Sequence, residues 1–225
     1  MSASELVRPW RGKSPEQRVA ERREQLLDAA LEVFATQGFH RSRVRDVCRQ
    51  AGLTERYFYE SFAGKEALLI ALAERIVADL LAAAAPGIAL VERDLDAAVD
   101  AASGAVVRSL TDDPRRARIL FVEVVGVSRE IEDQRRAIIG GLAGVVRAAA
   151  AQAFGPWVLE SVETELISRA VIGAAQELLV AHVRGELPLD QDDLIVNFGR
   201  VFRQAGPIVA AMAGQQDIER AGSRT

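Results

Sequence analysis

The chain has little of several things that would announce chemistry. Among its 225 residues there is one cysteine, Cys48, and there are two histidines, two tryptophans and two tyrosines; aromatics make up 5%. A lone cysteine excludes a disulfide framework within the chain and a cysteine-built zinc site, and it suits a reducing compartment. Glycine-rich phosphate loops, nucleophile elbows, paired metal-binding histidines and a Cys–His pair in range are all missing, which argues against an enzyme, a metal or a cofactor. The N-terminal stretch, Met1 to Pro15, is polar and lacks the apolar run of a secretion signal. The most apolar stretch, Ala78 to Val91, contains Asp79, Pro86 and Gly87 and falls short of the roughly 20 residues that span a bilayer. A soluble, cytoplasmic protein is the expectation. Alternating strand patterns and internal repeats are absent too.

What is present is hydrophobic and helix-forming. The hydrophobic fraction is 49%, enough for a substantial core, and it rests on Ala, Leu and Val beside abundant Arg and Glu. An all-α fold follows. Charge is unevenly spread. Residues 1–65 carry 12 Lys and Arg against 9 Asp and Glu, and the remainder 16 against 23, so a front of +3 precedes a back of −7. That asymmetry suits a nucleic-acid-binding head on a body with another task.

Ser14-Pro15-Glu16-Gln17 reads as a helix start with a capping box, and the apolar series Leu26, Leu27, Ala30, Leu31, Phe34 marks its buried face before Gly38 stops it. A short helix over Val44 to Ala51 ends at Gly52, and Thr54 opens another running to about Ser61. A fourth is expected from about Gly64 to Ala84, broken by Pro86-Gly87, and crosses from head to body without a flexible linker. The body reads as helices over about 93–110, 114–127, 130–154, 156–184 and 191–213.

Two short helices around Ala51-Gly52-Leu53 form a helix-turn-helix layout, whose second helix enters a DNA major groove with its N-terminal residues leading. Arg56 is placed to pair bidentately with guanine, and Thr54 and Tyr57 to touch bases or phosphates. Tyr59 is expected on a phosphate, and Lys65, at the next helix's start, on another. Phe58 and Phe62 read as core. Cys48 reads as a small buried residue, and a redox role is disfavoured because no resolving cysteine exists.

These residues resemble the DNA-binding domain of TetR-family regulators. The family's pattern appears as Gly38-Phe39, Val44-Arg45-Asp46-Val47, Ala51-Gly52-Leu53-Thr54, Tyr59 and Phe62, and Lys65-Glu66-Ala67-Leu68, over roughly residues 16–70. Arg43 stands where the family has a capping Thr, so either Ser42 takes the cap or Arg43 meets a phosphate as a charge. Arg45 joins the expected DNA contacts. Arg56 replaces a small residue and Glu60 an aromatic, which points to an unusual base preference.

The resemblance implies the remaining expectations. Residues 1–15 are a flexible basic arm carrying Arg8, Arg11 and Lys13, and 16–65 form the helix-turn-helix domain. Residues 66–213 form an effector-binding and dimerisation domain, and 214–225 a frayed tail. The last two long helices would pair with a second copy through apolar residues including Leu166, Val171, Ile172, Leu179, Val180, Leu194, Phe198, Val201 and Phe202. The chain would act as an effector-responsive repressor on a palindromic operator. A constitutive DNA-binding dimer is the alternative, to be decided by whether the body is hollow. Candidate effector contacts are Phe121, Glu123, Trp157, Gln176 and His182, for a largely apolar small molecule.

Overall fold

The computed structural model describes residues 14–222, with side chains described to Met212, and among these every regular element is helical. The expectation for the N-terminal arm lies, over residues 1–13, outside the described residues; of the tail expected to fray over 214–225, residues 214–222 continue the last helix and the final three lie outside the described residues.

Helix α1 (Pro15–Gln37) begins as its sequence dictates. The Ser14 hydroxyl accepts the Gln17 amide at 3.2 Å, the Gln17 side chain accepts the Ser14 amide at 2.8 Å, and Pro15 supplies a pre-set φ at the first position. Gly38 ends it at φ 84°. Helix α2 (Val44–Ala51) ends at Gly52 in the left-handed region, φ 66°, and α3 (Glu55–Ser61) follows. Phe58 is fully buried and tilts against Phe62, as the core reading requires, and Val47 is buried beside them.

Helix α4 (Lys65–Ile88) runs past the expected break and carries Pro86 inside its last turn. A proline lacks an amide and clashes one turn back, but here only two helical residues follow it and a chain of turns takes over at once. Gly87 is buried because α5 (Leu95–Thr111) crosses directly over it.

The expected helix over 114–127 is interrupted. Helix α6 (Pro114–Arg118) gives way to a π-helical turn, Ile119–Glu123, and the chain leaves through Gly126 at φ 72°. Helix α7 (Arg129–Phe154) follows. The segment read as one helix from 156 divides into a 3₁₀ turn, Pro156–Leu159, and α8 (Val162–Val183), which starts afresh with Ser161 capping the Thr164 amide. Helix α9 (Gln191–Gly222) closes the described chain.

Helices α4, α5 and α9 pack in sequence, with α7 and α8 against one another. One buried cluster runs without interruption from Leu26 of α1 through Leu68 and Leu72 of α4 to Leu179 and Phe198 of the last two helices. Polar ties reinforce it between distant parts of the chain. Arg115 joins Glu32 at 2.8 Å, Arg116 joins Asp79 at 3.3 Å, and Ser128 donates to Glu66 at 2.8 Å.

Contrary to the reading of the longest apolar stretch, α7 and α8 are by length and composition apolar enough to cross a membrane. One side of each faces an interior cavity, which accounts for part of that apolarity. The outward residues agree only in part with those expected on the dimer face. Leu166 is 62% exposed, as are Val162, Val196 and Ile208 to comparable degrees, but Val171, Leu179, Val180, Leu194 and Phe198 are buried within the chain itself. Ile172 and Phe202 line the cavity.

Candidate nucleic-acid interface and interior cavity

The turn joining α1 to α2 positions the reading segment. Ser42, expected as a cap or phosphate contact, is 2% exposed, and its hydroxyl donates inward to the Phe39 carbonyl at 2.8 Å. Arg43 occupies the capping position of α2 with no side-chain capping bond; its amide donates to Asp46 Oδ2 at 2.9 Å. Arg43 has no oxygen to accept an orphan amide, so Asp46, one turn in, satisfies the start of the helix instead. Arg43 and Arg45 are both exposed.

Thr54 is the residue preceding α3, in extended conformation, and its side chain makes no capping bond. Arg56 is 85% exposed. Its Nε donates to Glu60 at 3.2 Å. Glu60 also lies 3.6 Å from Arg22 of α1, and the Arg22 guanidinium sits 4.4 Å over the Tyr57 ring. Tyr57 is at the margin of exposure, while Tyr59 is 58% exposed. The α3 surface therefore offers two phenols and a guanidinium whose terminal nitrogens are uncommitted among the described contacts.

Lys65 points the other way. Its ammonium donates to the Phe39 and Ser42 carbonyls, at 2.6 and 2.9 Å, and lies 4.1 Å over the Phe39 ring. Burial pulls its pKa below the ordinary lysine value. Two of three donors are thus spent on closing the α1–α2 turn, leaving one for any outside anion.

Cys48 is buried in the middle of α2. Burial first, then the charge of Glu55, raises its thiol pKa. Both effects deplete the reactive thiolate. Iodoacetamide at pH 7.5 is expected to label the native protein roughly 100-fold more slowly than the unfolded chain. Labelling within twofold of the unfolded rate would show that α2 is open.

Behind this surface lies a cavity of about 620 Å³, within the ~300–1,000 Å³ usual for small-molecule sites. Its wall is overwhelmingly apolar and includes residues of α4 from Ile70 to Ile88. At roughly 1.5 Å per residue those positions span about 27 Å. Three charged residues reach the wall: Arg203 pairs with Asp100, Arg135 pairs with Glu132, and Asp96 lies in the first turn of α5. Of the residues expected to contact an effector, Phe121 and Gln176 line this space. The other three belong elsewhere. Glu123 turns its carboxylate toward the α1–α2 turn. Trp157 donates its indole N–H to the Phe154 carbonyl at 2.7 Å, and His182 sits near the far end of α8 outside the wall. The sequence reading missed Ile70, Leu142 and Val146, whose helical apolar spacing looks the same whether the side chain meets a core or a void.

Residues 26–72 match the model of the family described as bacterial regulatory proteins, tetR family. A fatty acid metabolism regulator protein of Bacillus subtilis (strain 168) is 44% identical over 48 residues, 21% of this chain and 25% of the relative. The transcriptional repressor Rv1474c of Mycobacterium tuberculosis is 33% identical over 108 residues, 45% of this chain and 58% of the relative. The chain thus spans between a quarter and three-fifths of the length of these curated relatives. The crystal structure of FadR from Bacillus subtilis in complex with stearoyl-CoA matches with a TM-score of 0.64 at 19% identity, covering 80% of this chain and 95% of that one. The head over residues 26–72 thus matches the tetR family of bacterial regulatory proteins, and it continues into an all-helical body of the same fold as the solved structure.

Proposed function

We propose that the protein is a homodimeric, cytoplasmic, sequence-specific DNA-binding repressor that leaves its operator when a long apolar ligand fills the cavity. Residues 16–65 form the reading head and 66–213 the sensing and dimerising body. The observation that carries the reading is the pairing of an exposed Arg56/Tyr57/Tyr59 surface on α3 with an apolar cavity whose wall takes residues from about 27 Å of α4, the helix that continues directly from the head. A constitutive binder has no use for such a void, whose wall forgoes contacts that a filled core would make.

Dimerisation rests on α8 and α9, whose outward Val162, Leu166, Val196 and Ile208 would be covered in a four-helix bundle. Two heads so joined must sit about 34–36 Å apart to read half-sites one helical turn apart, so a small displacement of each α4 costs the second set of contacts. The ligand class follows from the wall: an extended alkyl chain fits a long, apolar space whose two arginines are already paired. The B. subtilis relative solved with stearoyl-CoA makes a fatty acyl thioester the first compound to try.

The test is capture of fragmented genomic DNA at two salt concentrations, with and without stearoyl-CoA, beside an Arg56→Ala, Tyr59→Ala chain. A palindromic fragment should be enriched, more weakly at higher salt as phosphate contacts require, and lost both in the variant and on adding stearoyl-CoA. Absence of any enriched sequence after unfolding and ligand-free refolding would sink the reading.

A further inference from the structure

The carboxylate of Glu123 connects the cavity wall to the turn that starts the reading segment. It is 8% exposed, and it is used twice: Oε2 accepts the Phe39 amide at 2.7 Å and Oε1 accepts Arg118 Nε at 3.0 Å. Phe39 is the node of the α1–α2 turn. Its carbonyl takes the Lys65 ammonium and the Ser42 hydroxyl, so its peptide fixes the entry to α2 on one side and the start of α4 on the other. The approach is close-fitting. Gly38 has φ 84°, and a Cβ there would stand 3.6 Å from Glu123 Oε2.

Glu123 closes the π-helical turn Ile119–Glu123, and Leu120 and Phe121 of that turn, with Val124 just after it, line the cavity. A π turn carries one residue more than an α turn and is the rarer, costlier geometry. Its relaxation to regular α-helix would rotate the residues after it by about 100° about the axis, which moves Glu123 off the Phe39 amide. The structure shows the π arrangement, which makes the contact with the head; regular α-helix is the alternative that would break it.

We propose that Glu123 is a positioning residue that carries the state of the cavity to the α1–α2 turn: pressure of a ligand on Phe121 releases the π turn, withdraws the carboxylate from Phe39 and frees the entry to α2. This route is separate from displacement of α4, and it rests on the ligand-released DNA-binding reading above. A coupling of this kind needs a bistable element that both sites bias, and here that role is assigned to the π turn.

The test uses the full-length dimer, the operator fragment recovered above and stearoyl-CoA as probe. Operator Kd is measured with and without saturating stearoyl-CoA for the parent, Glu123→Gln and Glu123→Ala. The parent ratio is expected within the usual allosteric range of about 5- to 150-fold. In Glu123→Ala it should fall to within twofold of unity while stearoyl-CoA affinity stays near the parent's and the melting temperature falls by several degrees, as expected for an orphaned buried amide. Glu123→Gln, which keeps an acceptor for Phe39, should retain part of it. Hydrogen exchange in the parent gives a measurement that needs no variant to fold: the Phe39 amide should exchange about tenfold faster when stearoyl-CoA is bound. A parent that responds to stearoyl-CoA, with an unchanged Phe39 amide or an undiminished ratio in Glu123→Ala, overturns this proposal and leaves the functional reading intact. A parent that never binds an operator, or never responds, overturns both.

Discussion

An Arg56→Ala dimer is expected to bind its operator about 30- to 20,000-fold more weakly than the parent. One bidentate arginine–guanine pair contributes roughly 1–3 kcal/mol of discrimination. A symmetric dimer presents the residue twice, which gives about 2–6 kcal/mol, or 30-fold upward at about 1.4 kcal/mol per decade. The terminal nitrogens of Arg56 are the exposed part of the side chain, because Glu60 takes only Nε. The fold should not notice: an exposed pair one helical turn apart contributes a few tenths of a kcal/mol. Base preference at one position of each half-site should relax, while the slope of log Kd against log salt changes by less than it does for a phosphate-binding lysine. An affinity within threefold of the parent, on a dimer that melts normally, would mean that Arg56 reads nothing.

The second large effect lies far from the DNA. Gly87→Ala is expected to lower the melting temperature by roughly 4–8 °C. Alanine is the better helix former by about 1 kcal/mol. Its Cβ, however, would stand 2.8 Å from Ala102 Cα and 2.9 Å from the Ala101 carbonyl carbon, and closer still to the Ala102 nitrogen. Those are backbone atoms of α5 and cannot swing aside, so α4 and α5 must separate. Overpacking costs about 1–3 kcal/mol, and with three backbone atoms under 3 Å the cost here is at the top of that range; the net loss of about 2 kcal/mol, at roughly 2–4 °C per kcal/mol for a chain of this length, gives the shift. Gly141→Ala is the control. That glycine is helical and exposed, with nothing near its added methyl, and the same substitution there should leave the melting temperature unchanged or raise it. If both variants melt together, the close approach at Gly87 is not maintained in solution.

The head was largely legible because its signals are local. Ser14, Pro15 and Gln17 act within one turn, Gly38 and Gly52 act through their own φ, and Phe58 and Phe62 follow helical spacing. What escaped was direction. Ser42 and Lys65 sit where a phosphate contact is expected, yet both are drawn inward by the carbonyls of a turn, and no pattern of residue types distinguishes a lysine that faces a carbonyl from one that faces a phosphate. The body was harder for a different reason. A helix such as α8 is apolar on more than one side, so periodicity leaves open which side meets its own chain, a void or a second copy. Leu166 faces out while Leu179 faces in. Glu123 was singled out, but for the cavity; its actual partner lies 84 positions away.

The uninterrupted cluster from Leu26 to Phe198 bears on how this protein can be taken apart. A reading head is often thought of as a cassette to be moved from one sensor to another. Here a cut after Lys65 would strip Leu68, Leu69 and Leu72 from the interior they share with α1, and would sever Phe39 from the carboxylate that holds its amide. A chimera that respects the molecule has to carry most of α4 with the head and bring along a body whose π turn after α6 offers a matching acceptor to the α1–α2 turn. Grafts that ignore either joint should yield insoluble or unresponsive proteins, and their failure would trace to the seam, not to the operator.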